Sequence, residues 1–144
     1  MKLKISLKLK KMKKLPLIFS SVIVGIILFQ SALVAPAINK LINSEDASVF
    51  LRYIWPKFFI IIATISFVSF IIFIINSHQK KLKYLSLISF LLMSICYFLT
   101  PSINKAKDLL NEELWSIMHV STIILTIITL ILNILTIMYW KTKN

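Results

Sequence analysis

Four apolar segments alternate with short polar segments along the chain. They cover residues 15–37, 55–76, 84–100 and 115–140. A helix needs about 20 predominantly apolar residues to cross the hydrocarbon core of a bilayer, so each segment is a candidate span. The pattern predicts an all-α fold, an integral membrane four-helix bundle. The transmembrane domain would occupy residues 15–140, between a basic tail (1–14) and a short tail (141–144).

The last span carries a polar stripe among isoleucines and leucines. At spacings of three and four residues it contains Thr122, Thr126, Thr129, Asn133 and Thr136. Such positions share one helix face. Because unsatisfied polar groups are costly in hydrocarbon, we expect this stripe to face other helices and Asn133 to bond between helices. A narrow polar path for small solutes is the alternative, but close packing of small hydroxyl side chains is favoured.

The segments between the spans are predicted as connections. Residues 38–54 form the first loop, with Ser44 at a helix start, and residues 77–83 form a basic turn that contains His78. The third span is expected to close at Thr100–Pro101. An amphipathic run over residues 102–114 is expected to continue into the fourth span.

The positive charge lies beside the spans. The chain has 17 Lys and Arg against 5 Asp and Glu, and the tail 1–14 alone holds seven lysines. Lysine bias toward the tails and the 77–83 turn predicts that both termini are cytoplasmic, in a bacterial inner membrane or its equivalent. We expect the tail to bind anionic lipid headgroups. Nucleic acid is not expected as a partner, since the lysines flank apolar segments.

Composition narrows the function classes. With 58% hydrophobic residues and mean hydropathy +0.88, the chain is too apolar for a soluble domain. A single glycine excludes a Gly-rich phosphate loop, and the lone Cys96 excludes a disulfide within the chain. We therefore expect no enzymatic activity from one chain. Ala35-Pro36-Ala37 leaves open a cleavable signal peptide as the alternative for the first span.

A polar cluster is expected at the outer side of the membrane. Its members are Arg52, Lys105, Asp108, Glu112 and His119. Arg52 or Lys105 can pair with Asp108 or Glu112. Ionisable groups near membrane depth usually mark a site. The alternative is a cap whose ion pairs only hold the loops in place.

His119 has three possible roles. It can form an interhelical hydrogen bond, contact a proton or substrate, or ligate a metal or haem. Haem between two helices usually needs two histidines, and His78 is predicted on the opposite side. A single chain is therefore expected to bind no cofactor, and a haem site would require a dimer or a methionine ligand.

Several fragments in order resemble a known family. They are Leu33-Val34-Ala35-Pro36 with Leu41, then Tyr53-Ile54-Trp55-Pro56-Lys57-Phe58-Phe59, then residues 100–108, then Trp115 to His119 with Thr122. Together they are similar to the transmembrane protein 205-like family, over roughly residues 20–137. Val120, Thr126 and Lys105 depart from the Gly, Asn and Arg common in that pattern. The resemblance implies a four-helix membrane protein and no known reaction.

These observations predict a small integral membrane protein of unknown biochemical activity. It would act as a binding, packing or transport-associated module, through contacts with a solute, a lipid or a partner helix. A homo-oligomer or a partner membrane protein is possible. The alternative is a redox module in which His119 ligates haem or a metal, either across a dimer or together with a methionine.

Overall fold

The protein is helical along almost its whole length. The computed structural model describes the backbone of residues 2–76 and 80–143, and the side chains of residues 14–43, 45–75 and 80–140. The elements are α1 (Lys2–Phe29), a π-helical turn (Gln30–Val34), α2 (Ala35–Leu41), α3 (Ser44–Asn76), α4 (Lys80–Asp108) and α5 (Glu112–Lys143). His78 lies outside the described residues, as do the side chains of the tails.

Four stretches of helix are long and apolar enough to cross a membrane. They are Lys14–Leu41, Glu45–Ile75, Lys80–Asp108 and Glu112–Trp140. The prediction of an all-α, four-helix membrane bundle is confirmed. Isoleucines along α5, such as Ile124 and Ile131, are exposed on the bundle surface. In a membrane the outer surface of the bundle is in contact with hydrocarbon, so these apolar side chains face lipid.

The helices pack as a square. The α1 helix contacts α3 and α5, and α4 contacts the same two helices. Within the described residues, no Cα atoms of α1 and α4, or of α3 and α5, lie within 8 Å of each other across the diagonals. We call the end formed by residues 42–43 and 109–111 the distal end, and the opposite one the proximal end. At the proximal end the rings of Phe73 and Trp140 still meet across the α3–α5 diagonal, with centroids 6.4 Å apart. Backbones this far apart leave space along the axis of the bundle wherever large side chains do not fill it.

A tight core fills the middle of the bundle. It consists of Ile23, Ile27, Phe58, Phe59, Ile62, Ala63, Met93 and Cys96. Toward the proximal end, small hydroxyl side chains are buried on all four helices, including Ser20, Ser66, Ser89 and Thr129. Lipid is as apolar as leucine, so membrane helices associate through close van der Waals packing, which small side chains permit.

The π-helical turn precedes Pro36. In it the Ala35 N–H donates to the Gln30 carbonyl, five residues earlier. Proline has no N–H and its ring crowds the carbonyl four residues before it, so a regular turn is strained there. The wider turn changes which positions are buried. Gln30 is buried at the start of the turn, and after the turn the buried residue is Ile38 while Ala37 is exposed.

The first connection is much shorter than the predicted loop 38–54. The α2 and α3 helices are separated only by Ile42 and Asn43. The Asn43 side chain accepts from the Asp46 N–H at 2.9 Å and donates to the Asp46 carboxylate at 2.7 Å. It therefore caps the helix in place of Ser44. As a result Pro56 lies inside α3 rather than in its first turn.

The predicted continuation of residues 102–114 into the fourth span is wrong. The α4 helix passes through Pro101 and ends at Asp108. Leu110 has a φ of 54°, and the Asn111 N–H donates to the Ala106 carbonyl at 3.0 Å. This left-handed residue ends the helix. The Asn111 side chain then accepts from the Leu114 N–H at 3.0 Å and caps α5.

Candidate functional site

A cavity occupies the distal half of the bundle, on the diagonal between α3 and α5. Its volume is about 470 Å³. All the helices contribute to its lining: Ile27, Leu28, Ser31, Ala35, Asn39, Leu51, Trp55, Phe58, Phe59, Thr100, Ile103, Asn104, His119, Thr122, Ile123, Thr126, Ile127 and Leu130. We call it the distal cavity. It is mostly apolar with a few polar groups, which is typical of small-molecule sites.

The distal cavity is closed on one side and open on the other. Phe58, Phe59 and Thr100, from α3 and α4, are buried. On the opposite side, Leu28 of α1 is 50% exposed and Ile127 of α5 is 50% exposed. The opening therefore lies between the first helix and α5. Its exposed border is apolar at Leu28, Ile123 and Ile127 and polar at Ser31 and Asn39. In a membrane the apolar part of this border faces lipid.

Three aromatic rings of α3 form one wall. Trp55 and Phe59 stack with centroids 5.7 Å apart and planes 21° apart, and Phe58 packs edge-on against Trp55 at 5.4 Å. Two of these rings belong to the buried core, so the wall is fixed by its own packing. Across the cavity it faces His119, Thr122 and other residues of α5.

The hydroxyl groups of the cavity donate to their own helices. Thr100 donates to the Cys96 carbonyl at 3.0 Å, Thr122 to the His119 carbonyl at 2.8 Å, and Thr126 to the Thr122 carbonyl at 2.7 Å. Their protons are used, but their oxygen lone pairs can still accept a hydrogen bond. These three threonines thus supply acceptors to the distal cavity without needing a partner helix.

His119 lies at the distal edge of the cavity, next to Trp115. The two rings are parallel within 8° and 5.2 Å apart. The Lys107 amine lies 4.5 Å from the Trp115 ring and forms an ion pair with Glu112 at 2.8 Å. A chain of contacts thus joins the surface ion pair to the cavity. His119 is the one imidazole in the described lining, which contains no thiol or thioether, so a haem there would have one protein ligand from this chain.

The predicted polar cluster is only partly brought together. Arg52 pairs with Asp108 at 2.5 Å, both partly exposed. Glu112 pairs with Lys107 instead of Lys105, because two residues along α4 turn the side chain about 200° around the axis. Lys105 forms no ion pair among the described side chains. His119 belongs to the cavity and not to these pairs.

The predicted polar stripe divides between two environments. Thr122 and Thr126 line the distal cavity. Thr129, Asn133 and Thr136 lie nearer the proximal end and are buried among helices. Thr129 and Thr136 donate to carbonyls of α5 itself, at 2.9 Å each. Among the five, Asn133 makes the interhelical bond, from its amide to Ser89 Oγ at 3.3 Å.

Sequence reasoning missed the aromatic wall and Lys107. The predicted second span begins at residue 55, which would place Trp55 and Lys57 at the headgroup level, where tryptophan and lysine are common. In the structure Pro56 lies inside α3, so the helix begins well before residue 55 and carries the three rings of the wall into the bundle. Lys107 was not among the basic residues, Arg52 and Lys105, that were expected to pair with Asp108 or Glu112.

The profile of a protein family matches most of the chain. It is described as Domain of unknown function (DUF4149), and it matches residues 18–112. The chain belongs to this family. No curated protein and no solved structure matches the chain.

The DUF4149 match covers the cavity walls from α1, α2, α3 and α4, and it ends at the first residue of α5. His119 and the polar stripe therefore lie beyond the matched residues. The chain is a multi-pass membrane protein of a family whose description assigns no activity.

Proposed function

We propose that the protein is a binding module of the membrane, whose distal cavity takes up a small amphiphilic molecule from the surrounding lipid. The observation that supports this proposal is the distal cavity. Its volume of about 470 Å³ falls in the range of roughly 300–1,000 Å³ usual for small-molecule sites. Its polar groups converge near the distal end, and its exposed border combines the apolar Leu28, Ile123 and Ile127 with the polar Ser31 and Asn39.

The opening supports an amphiphile over a water-soluble solute. Leu28, Ile123 and Ile127 border the cavity and are also exposed. A molecule with an apolar tail can keep that tail in lipid while its polar end reaches Asn104 and Thr122. A polar solute would have to cross the apolar surface without compensation for lost hydration.

The remaining expectations from the sequence belong to the same proposal. Both termini would be cytoplasmic, the distal end would face outward, and the lysine tail would bind anionic headgroups. We place the protein in a bacterial inner membrane or its equivalent on the basis of the lysine bias. We propose membership of the transmembrane protein 205-like family on the basis of the fragments that resemble it. The redox alternative rests on His119 as a single ligand.

Quenching of tryptophan fluorescence tests the binding function. In a Trp115→Phe, Trp140→Phe background in nanodiscs, Trp55 becomes the single tryptophan, and bromodecanol serves as the heavy-atom probe. We expect a saturable quenching component, because the probe occupies a finite site beside Trp55. Thr126→Phe fills the cavity and should remove that component. Ile124→Phe places the same ring on the lipid-facing side of α5 and is the matched control. Quenching that rises linearly and equally in all three proteins would overturn the proposal.

A further inference from the structure

The walls of the distal cavity select among amphiphiles. We propose that its ligand is an uncharged aromatic ring that carries a hydroxyl group and an alkyl tail, of the alkylphenol or alkylated hydroquinone type. This inference rests on the proposed binding function, and it assigns the chemical class of the ligand at that site.

The lining excludes a formal charge on the ligand. None of the described lining side chains is a lysine, arginine, aspartate or glutamate. At the distal end, the charges of Arg52 and Asp108 and of Lys107 and Glu112 are paired with each other. An ion moved into a site without a counter-charge keeps its full desolvation cost. The headgroup is therefore neutral.

The aromatic wall requires a flat headgroup. The near-parallel stack of Trp55 on Phe59 presents ring surface to the cavity, with Phe58 edge-on beside it. Aromatic rings gain from offset-stacked and edge-to-face contacts beyond the area they bury. Among the described residues, no Cα atoms of α3 and α5 lie within 8 Å of each other, and at the distal cavity the space between the two helices admits a ring between the aromatic wall and Thr122.

The polar groups match a hydroxyl on that ring. Thr100, Thr122 and Thr126 have committed their protons to backbone carbonyls and offer only lone pairs. The amide of Asn104 makes no hydrogen bond to another described residue. A hydroxyl group both donates and accepts, so it can satisfy a threonine oxygen and the Asn104 amide together. A carbonyl group only accepts hydrogen bonds, so it would leave the threonine oxygens without a donor.

Displacement of bromodecanol from the Trp55 reporter compares four ligands with matched tails. They are para-decylphenol, decylbenzene, decanol and decyltrimethylammonium. We expect para-decylphenol to bind about tenfold more tightly than decylbenzene, which lacks the hydroxyl, or decanol, which lacks the ring. Decyltrimethylammonium should displace the probe least.

The outcomes separate this inference from the binding function. If decanol or decyltrimethylammonium displaces the probe as well as para-decylphenol does, the ligand class is wrong while the cavity still binds amphiphiles. If the saturable component is absent and nothing displaces the probe, the binding function itself fails.

A pair of α4 variants tests the hydroxyl contact. Asn104→Leu should abolish most of the preference for para-decylphenol over decylbenzene, since it removes the free amide from the cavity. Ser102→Leu adds the same side chain at an exposed position outside the lining and should leave the preference unchanged. An unchanged preference in Asn104→Leu would show that this amide does not read the hydroxyl, and would overturn the assignment.

Discussion

The two halves of α5 carry the same kind of side chain in different surroundings. Thr126 and Thr129 are three residues apart, and each donates its hydroxyl to a carbonyl of its own helix. Thr126 lines a cavity, while Thr129 is 0% exposed and packed among helices. A threonine that bonds to its own helix can therefore serve either role. The packing on the facing helices decides which. In the distal half the rings of Phe58 and Phe59 stand across a cavity, and in the proximal half the space is filled, by small residues such as Ser66 and by Phe73.

The strongest test of this contrast adds the same bulk on both sides of the boundary. Thr129→Leu should lower the free energy of unfolding by about 1–3 kcal/mol, because extra atoms in a filled core force its neighbours apart. Thr126→Leu should change it little, because the added atoms enter the distal cavity. Thermal unfolding in the same detergent compares the two variants. Equal losses would mean that the distal half is as tightly packed as the proximal half.

Substitutions at two buried amide side chains, Gln30 and Asn133, are expected to change the stability by intermediate amounts and in opposite directions. Gln30 is 6% exposed and its Nε2 has no hydrogen-bond partner among the described residues, whereas the Asn133 amide donates to Ser89 and to the Thr129 carbonyl. Gln30→Met should therefore stabilise the protein, and Asn133→Leu should destabilise it, each by about 1 kcal/mol. Unfolding midpoints of both variants against wild type provide the measurement. A loss of stability in Gln30→Met would show that the amide has a partner in the membrane.

The smallest effect is expected at the distal surface. The Arg52–Asp108 pair is partly exposed, so Asp108→Asn should cost about 0–1 kcal/mol, and the cost should shrink as salt is added. Glu112→Gln, which breaks the pair with Lys107, provides a parallel case. Unfolding midpoints at low and high salt measure both. A large, salt-independent loss would contradict the interpretation of these pairs as an ordinary polar cap and would tie them to the cavity below.

The spans could be predicted from the sequence because their signal is local. Long apolar runs report on burial in lipid whatever the packing. The ends of the helices were harder to place, since Pro56 and Pro101 were interpreted as boundaries. A proline inside a helix is costly in water, but membrane helices tolerate it where neighbours satisfy the freed backbone groups. The same misreading concealed the short Ile42–Asn43 connection.

The distal cavity could not be predicted because it depends on residues that do not touch. Trp55 on α3 and Thr122 on α5 face each other across a diagonal, far apart in sequence. Periodicity identified the face on which the stripe lies, but Thr126 and Thr129 fit that pattern equally well. Their difference arises from what the opposite helices place before them, and a one-dimensional pattern contains no such information.

The π-helical turn has a consequence for how relatives of this chain can be aligned. A wide turn accommodates one residue more than a regular helix over the same rise. Here that extra residue keeps Ile38 in the core and Asn39 at the cavity, although Ala37 would have held the buried position in an unbroken helix. A homologue with a regular first helix would match this protein only with a single-residue gap inside a membrane span. An alignment that forbids gaps there would displace every residue of the first span on one side of the turn by one position.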